Sequence, residues 1–339
     1  MQTLTPELQK LLTQLSQQLQ AEATSTAPNL TLSDLFSKYV EFKRPTWKPK
    51  TLNYMVATIQ FHVNGCPYQL LSQNSSLQIR AWLLANTTNS MSKRVLMHLN
   101  AAVKWALKYK LVSSVLTASP FEGMVAELPQ HGWQKNSEPN GFTELEKENI
   151  LRAFKNYQEV WGKPCYYYSM VDFLFLTGCR PSEAIGLRWC DVADDFSHIA
   201  FSGSVQYIQG KEVRSEGSKN NRRRKFPCNQ KLRQLLESIK PPNLIDKNKL
   251  VFPSPGGKAI NYGKFSRGLW NQLVDPVTDR TREQGYKKTT PYSCRDTFIT
   301  EQISKGVPVT VVGKWCDTSE KVINSTYLDV KLLEEIQPL

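Results

Sequence analysis

The sequence predicts a mainly α fold with a small antiparallel β-sheet, an α+β protein in two domains. Three observations carry this. Apolar residues recur at helical spacing through most of the 339 residues. Between His198 and Phe226 that period gives way to short apolar runs punctuated by Gly203, Gly210 and Gly217. A polar segment rich in turn formers, residues 130–141, separates two blocks that are each long enough to bury a core. The expected divisions are 1–28 for an N-terminal amphipathic helix and tail, 29–129 for a helical domain, 130–141 for the linker, and 142–339 for a second domain ending in a tail helix.

Thr5-Pro6-Glu7 reads as a helix start, with a capping hydroxyl, a proline in the first turn and an acid near the positive end of the dipole. Leu8, Leu11, Leu12, Leu15 and Leu19 follow on one face. Thr31-Leu32-Ser33-Asp34 starts the next helix, which carries Leu35, Phe36, Tyr39 and Val40. Lys48-Pro49-Lys50-Thr51 leads into a helix with Tyr54, Met55, Ile59 and Phe61. Ile79, Trp82 and Leu83 mark a third helix of this block, and Val95, Leu96, Leu99, Val103 and Trp105 a fourth. In the second block, Thr143 and Glu146 have the spacing of a capping box, and helices are expected through about Trp189. Short strands are expected at 199–201, 205–208 and 225–226, followed by helices to the end.

Lys and Arg number 43 against 30 Asp and Glu, a formal net charge of +13. Such a balance favours a polyanionic partner, nucleic acid before membrane. No apolar run reaches membrane-spanning length, and the amino terminus lacks a basic region followed by an apolar one. The seven cysteines are scattered without CxxC spacing, which argues against a disulfide framework or a zinc site and for reduced thiols. No cofactor is implied. Basic residues at helix starts in the first block, Lys48, Lys50, Lys93 and Arg94, suit contact with phosphate.

Four segments stand out in the second block: Thr177-Gly178-Cys179-Arg180-Pro181-Ser182-Glu183 running on to Leu187-Arg188-Trp189-Cys190-Asp191; Lys219 through Pro227, containing Arg222, Arg223 and Arg224; Tyr292-Ser293-Cys294-Arg295-Asp296-Thr297-Phe298; and Lys314-Trp315-Cys316-Asp317-Thr318-Ser319 followed by Tyr327. Their order and spacing resemble the arginine boxes, β-hairpin lysine and nucleophile segment of the tyrosine recombinase (phage integrase) family. The resemblance covers roughly the last 190 residues, and the helical first block fits the family's core-binding domain, so that the two together form a DNA clamp.

The resemblance implies a site-specific DNA recombinase of the integrase or excision type. Arg180 and Arg295 would bond the non-bridging oxygens of the scissile phosphate. Tyr327 would attack phosphorus to give a 3′-phosphotyrosine, and Lys219 would protonate the leaving 5′-oxygen. These residue types suit the chemistry. Each guanidinium–phosphate contact is worth about 4 kcal/mol of gross Coulomb energy at an effective dielectric of ~20, and arginine keeps its charge while offering a planar fork. A free phenol, with a pKa of ~10, needs such a cationic setting to attack at neutral pH. Because the ester is conserved, neither ATP nor metal is required. Arg222, Arg223 and Arg224 are further candidates for DNA contact.

Three positions depart from the family pattern. Tyr292 stands where His-x-x-Arg has its histidine, and Asp296 where a second histidine is common. Thr318, nine residues before Tyr327, replaces the usual histidine or tryptophan. The hydroxyls of Tyr292 and Thr318 can donate hydrogen bonds but do not match imidazole as acid–base groups near neutral pH. The proton donor stays open among Lys219, Tyr292 and Thr318. The alternatives are a catalytically weakened DNA-binding remnant of the same fold and a type IB topoisomerase-like nicking-closing enzyme. The implied partners are double-stranded DNA and three further copies, a homo-tetramer on two duplexes from a protein monomeric off DNA. The implied location is the cytoplasm, at the nucleoid when DNA-bound.

Overall fold

The computed structural model describes residues 30–112, 116–128, 140–161, 166–217, 223–278 and 288–327. The amphipathic helix expected within 1–28, most of the 130–141 linker, Lys219, Arg222 and the tail helix beyond Tyr327 lie outside the described residues. The chain divides into two compact units, Met1–Trp133 and Gln134–Leu339.

The first unit is helical. α1 (Leu32–Lys43) opens on a capping box in which the Thr31 hydroxyl accepts from the Asp34 amide and the Asp34 carboxylate accepts from the Thr31 amide. α2 (Pro49–Tyr54) begins with proline in its first turn and runs through a π-helical turn, Met55–Gln60, into α3 (Phe61–Gly65). Met55 and Ile59 are buried, but Phe61, two residues past Ile59, is 70% exposed. α4 (Gln73–Asn86) and α5 (Asn89–Lys108) complete the bundle, capped by the hydroxyls of Ser72 and Thr88. Leu32, Leu35, Phe36, Ile59, Ile79, Leu83, Leu96, Leu99 and Val103 form its core, each worth about 1.5–3 kcal/mol when fully buried.

The second unit mixes helices with two two-stranded antiparallel ladders, so the expected β structure is split in two. α6 (Glu144–Trp161) starts at the predicted capping box, in which the Thr143 amide donates to Glu146 (2.7 Å) and the Glu146 amide to the Thr143 hydroxyl (3.2 Å). α7 (Tyr167–Thr177) is apolar on nearly all sides, and Met170, Val171, Phe173, Leu174 and Phe175 are all buried, as a helix through the middle of a core requires. α8 (Pro181–Ile185) follows after a three-residue turn.

β1 (His198–Phe201) pairs with β4 (Arg224–Pro227), placing Phe201 opposite Arg224. β2 (Gly203–Ile208) pairs with β3 (Lys211–Glu216) across a two-residue turn in which Gln209 and Gly210 both have positive φ, the geometry that follows the twist of a hairpin. β3 was not expected from the sequence. Its residues, Lys-Glu-Val-Arg-Ser-Glu, lack an apolar face, and the strand is held as the exposed partner of β2. α9 (Gln230–Ile239), α10 (Tyr262–Phe265) and α11 (Asn271–Val274) lead to the three helices that build the site: α12 (Ser293–Ser304), α13 (Val309–Cys316) and α14 (Glu320–Thr326). Among the described residues no helix is long and apolar enough to cross a membrane, and no group of three His, Cys, Asp or Glu could hold a metal ion.

Candidate active site

The turn between α7 and α8 sets the first arginine. Gly178 ends α7 in the left-handed region, φ 57°, and a Cβ there would lie 2.4 Å from the Phe298 ring of α12. Glycine is therefore required twice, by the backbone angle and by the packing of α12 against the turn. Arg180 follows as the N-cap of α8. Its amide donates to Glu183 (2.9 Å) and its guanidinium to the other oxygen of the same carboxylate (3.2 Å).

Glu183 is only 3% exposed and bridges two arginines. Arg224 donates to both of its oxygens, at 2.9 and 2.7 Å, to the Trp315 carbonyl at 2.7 Å, and lies 4.3 Å above the Phe201 ring. Its side chain is 9% exposed. The expected DNA-facing role of Arg224 is thus corrected: strand alternation in β4 turns Arg224 and Phe226 inward, while Arg223 and Lys225 face outward. Burial works to raise the Glu183 carboxyl, but its bonds and charge pairs with Arg224 and Arg180 outweigh it and hold that carboxyl below the usual range. Burial likewise opposes the charge on Arg180, and Glu183 and Asp317 together overcome it.

Asp317 ends α13 in the left-handed region, φ 51°, a conformation that favours glycine. There its carboxylate and carbonyl both accept from Arg180, at 2.8 and 2.7 Å. Thr318 lies in the short turn that follows, its amide donating to the Gly313 carbonyl at 3.0 Å, and Ser319 then caps α14.

Arg295 projects from the first turn of α12 and is 2% exposed. It donates to the Gly178 carbonyl at 2.9 Å, across 117 residues of sequence. Tyr292, the N-cap of α12, is exposed, with its ring 5.8 Å from the Arg295 guanidinium. Tyr327 closes the arrangement at the C-terminal end of α14, its phenol donating to Asp296 at 2.6 Å. Burial first, then the charge and hydrogen bond of Asp296, push the phenol well above its ordinary pKa, while Arg295 opposes the shift.

A chain of contacts therefore runs Tyr327–Asp296, next to Arg295, on to Gly178, two residues before Arg180, and on to Asp317. It joins three segments that are far apart in sequence. The thiols among them do not compete as nucleophiles. Burial pushes Cys179 up to about 12 and Cys294 well above its ordinary value, so both stay protonated at neutral pH. In the first unit, Lys48, Lys50, Lys93 and Arg94 all lie on the surface. Arg94 stands over Tyr54, the last residue of α2, its guanidinium carbon 6.0 Å from the ring.

The phage integrase family model matches residues 142–332, more than half of the chain. The chain belongs to the phage integrase family. Among solved structures, the Tn1549 transposon integrase in complex with a circular intermediate DNA matches with a TM-score of 0.70 at 17% identity, over 88% of this chain and 95% of that one. A lambda integrase dimer bound to a COC′ core site matches with a TM-score of 0.60 at 13% identity, over 96% and 83%. A lambda integrase tetramer bound to a Holliday junction matches with a TM-score of 0.59 at 13% identity, over 92% and 86%. These likenesses establish a shared fold, the helical domain and the tyrosine recombinase catalytic fold together. Comparison with curated protein sequences gives no match.

The sequence reading missed two functional candidates, Asp296 and Asp317. Each carried a signal, an acid directly beside a proposed catalytic residue, Asp296 after Arg295 and Asp317 before Thr318.

Proposed function

We propose that this integrase-family chain is a site-specific DNA recombinase that cleaves and rejoins strands through a 3′-phosphotyrosine at Tyr327. The observation that carries the reading is the convergence of Arg180, Arg295 and Tyr327 through Gly178 and Asp296, although their segments lie more than a hundred residues apart at the extremes. Two guanidinium groups beside one phenol have the charge and geometry to hold a phosphodiester and stabilise the extra negative charge of its pentacoordinate transition state.

Arg180 and Arg295 bind the non-bridging oxygens, and Arg180 must exchange Asp317 for phosphate as DNA enters. Lys219 donates the proton to the leaving 5′-oxygen. The Tyr292 and Thr318 hydroxyls donate hydrogen bonds to the phosphate. The 5′-hydroxyl of a second strand then attacks the phosphotyrosine, restoring Tyr327 without ATP or metal. Lys48, Lys50, Lys93 and Arg94 of the first unit, with Arg222 and Arg223 of the second, contact the DNA backbone. The partner is double-stranded DNA, and four copies act on two duplexes, in keeping with the DNA-bound lambda integrase tetramer.

A nicked suicide substrate, which loses its 5′-hydroxyl fragment by diffusion, tests this. Wild-type protein is expected to accumulate a covalent protein–DNA adduct, and Tyr327→Phe to bind the same DNA without forming one. Binding by wild type without an adduct would favour a DNA-binding remnant. An adduct that religates only its own strand would favour a nicking-closing enzyme.

A further inference from the structure

The strand-cleavage reading leaves one proton without a destination. Tyr327 must lose its phenolic proton as it attacks, and two of the positions where the family pattern has imidazole carry hydroxyls instead, Tyr292 and Thr318. We infer that Asp296 is the catalytic base that takes this proton. The inference rests on the strand-cleavage reading and deepens it.

The geometry is that of a nucleophile paired with its base. The Tyr327 hydroxyl donates to Asp296 Oδ1 at 2.6 Å, at the short end of the range for proton transfer between an activated hydroxyl and its base. Asp296 sits on α12 directly after Arg295, so one helical turn presents both the guanidinium that meets the phosphate and the carboxylate that meets the nucleophile. A carboxylate anchored there keeps the phenol oxygen's remaining lone pairs free for phosphorus.

The charged and titratable groups around the phenol are Asp296 and Arg295 on α12 and Tyr292 at its N-cap. Burial and the Asp296 charge keep the phenol protonated at rest, so Tyr327 does not attack as a pre-formed phenolate. Its proton has to leave during attack, to an acceptor already in contact. In that step the Tyr327 O–H bond breaks and the proton passes to Asp296 Oδ1. The phenol oxygen's electron pair forms the new O–P bond. The P–O5′ bond breaks with its pair on the 5′-oxygen, which Lys219 protonates. In the reverse step Asp296 returns the proton to Tyr327.

The test is the rate of adduct formation on the suicide substrate between pH 4.5 and about 10, for wild type, Asp296→Asn, Asp296→His and Tyr327→Phe. Wild type should be flat near neutrality and fall as pH drops through the carboxylate range. Asp296→Asn should bind DNA normally, slow about 10²–10⁴-fold near neutrality, and rise about tenfold per pH unit as solvent takes over the deprotonation. The defect should persist on a substrate with a 5′-bridging sulfur, which relieves the need for acid at the leaving group but not for base at the nucleophile. Asp296→His should move the acidic limb of the profile up to about pH 6.5, a readout that a merely structural role would not shift.

An adduct formed by wild type and lost in Tyr327→Phe, but formed by Asp296→Asn at the wild-type rate or faster, overturns the inference and leaves the enzyme reading standing. An unmoved limb in Asp296→His overturns it as well, even if Asp296→Asn does not fold. No adduct with wild type removes both.

Discussion

Glu183→Gln keeps the shape of a side chain that bridges two arginines and removes its charge. In the folded protein Glu183 accepts from Arg224 at 2.7 and 2.9 Å and from Arg180 at 3.2 Å, and it is 3% exposed. After substitution Arg180 still has Asp317, but Arg224, with a side chain 9% exposed, loses its charge partner and keeps the Trp315 carbonyl, the Phe201 ring and at most one neutral amide oxygen. Breaking a buried pair in this way costs about 3–5 kcal/mol, because it leaves a charge buried without its partner. For a unit of about 200 residues that corresponds to a fall in Tm of about 6–20 °C.

The pH dependence has a definite sign. Burial raises the Glu183 carboxyl, but Arg224 and Arg180 outweigh it, so its folded pKa lies below the ordinary 4.5. Its contribution is therefore fully present above pH 4.5 and is lost as pH falls through the lower folded value. Thermal unfolding followed by circular dichroism should show a large gap between wild type and Glu183→Gln at pH 7 that narrows towards pH 3. A gap of less than about 2 °C at pH 7, under 1 kcal/mol, or one that widens in acid, would refute the role given to this carboxylate.

Other substitutions separate folding from DNA contact. Gly178→Ala places a methyl 2.4 Å from the Phe298 ring at a residue with φ 57°, and urea unfolding should show a loss of about 2–4 kcal/mol. Arg223→Gln should leave the melting temperature unchanged and weaken DNA binding, whereas Arg224→Gln should lower the melting temperature. Lys93→Ala and Arg94→Ala should each reduce the slope of log affinity against log salt by about 0.9 if each side chain meets one phosphate. Asp317→Gly removes the carboxylate that holds Arg180 at 2.8 Å without straining the left-handed turn, and filter-binding titrations should show tighter association with cleavage-site DNA.

Local rules made much of the framework legible. Thr31 with Asp34 and Thr143 with Glu146 announced helix starts because a cap needs only residues three apart. The apolar patch at 171–176 fits a buried helix, and it lies within α7. β3 was not legible because an exposed strand that relies on its hairpin partner need not alternate apolar and polar residues. Phe61 faces outward because it stands two residues past the buried Ile59, roughly 200° further round the helix.

The site was legible as a set of residue types but not as a network. Arg224 stood in a run of four cations, Arg222 to Lys225, and looked like its neighbours. Strand alternation with the apolar Phe226 was the local sign that it turns inward, and the partner that makes such burial tolerable, Glu183, is 41 residues away. The Tyr327–Asp296 bond likewise depends on how α14 packs beside α12, which no local pattern encodes.

The account's central claim is that Tyr327 is the nucleophile of a strand-transfer site built on Arg180 and Arg295. Protease digestion of the trapped protein–DNA adduct, followed by mass spectrometry, identifies the side chain that carries the phosphate. The account predicts a single modified peptide with a 3′-phosphoryl nucleotide on Tyr327. A 5′-linkage, or the nucleotide on the exposed Tyr292 instead, would contradict it.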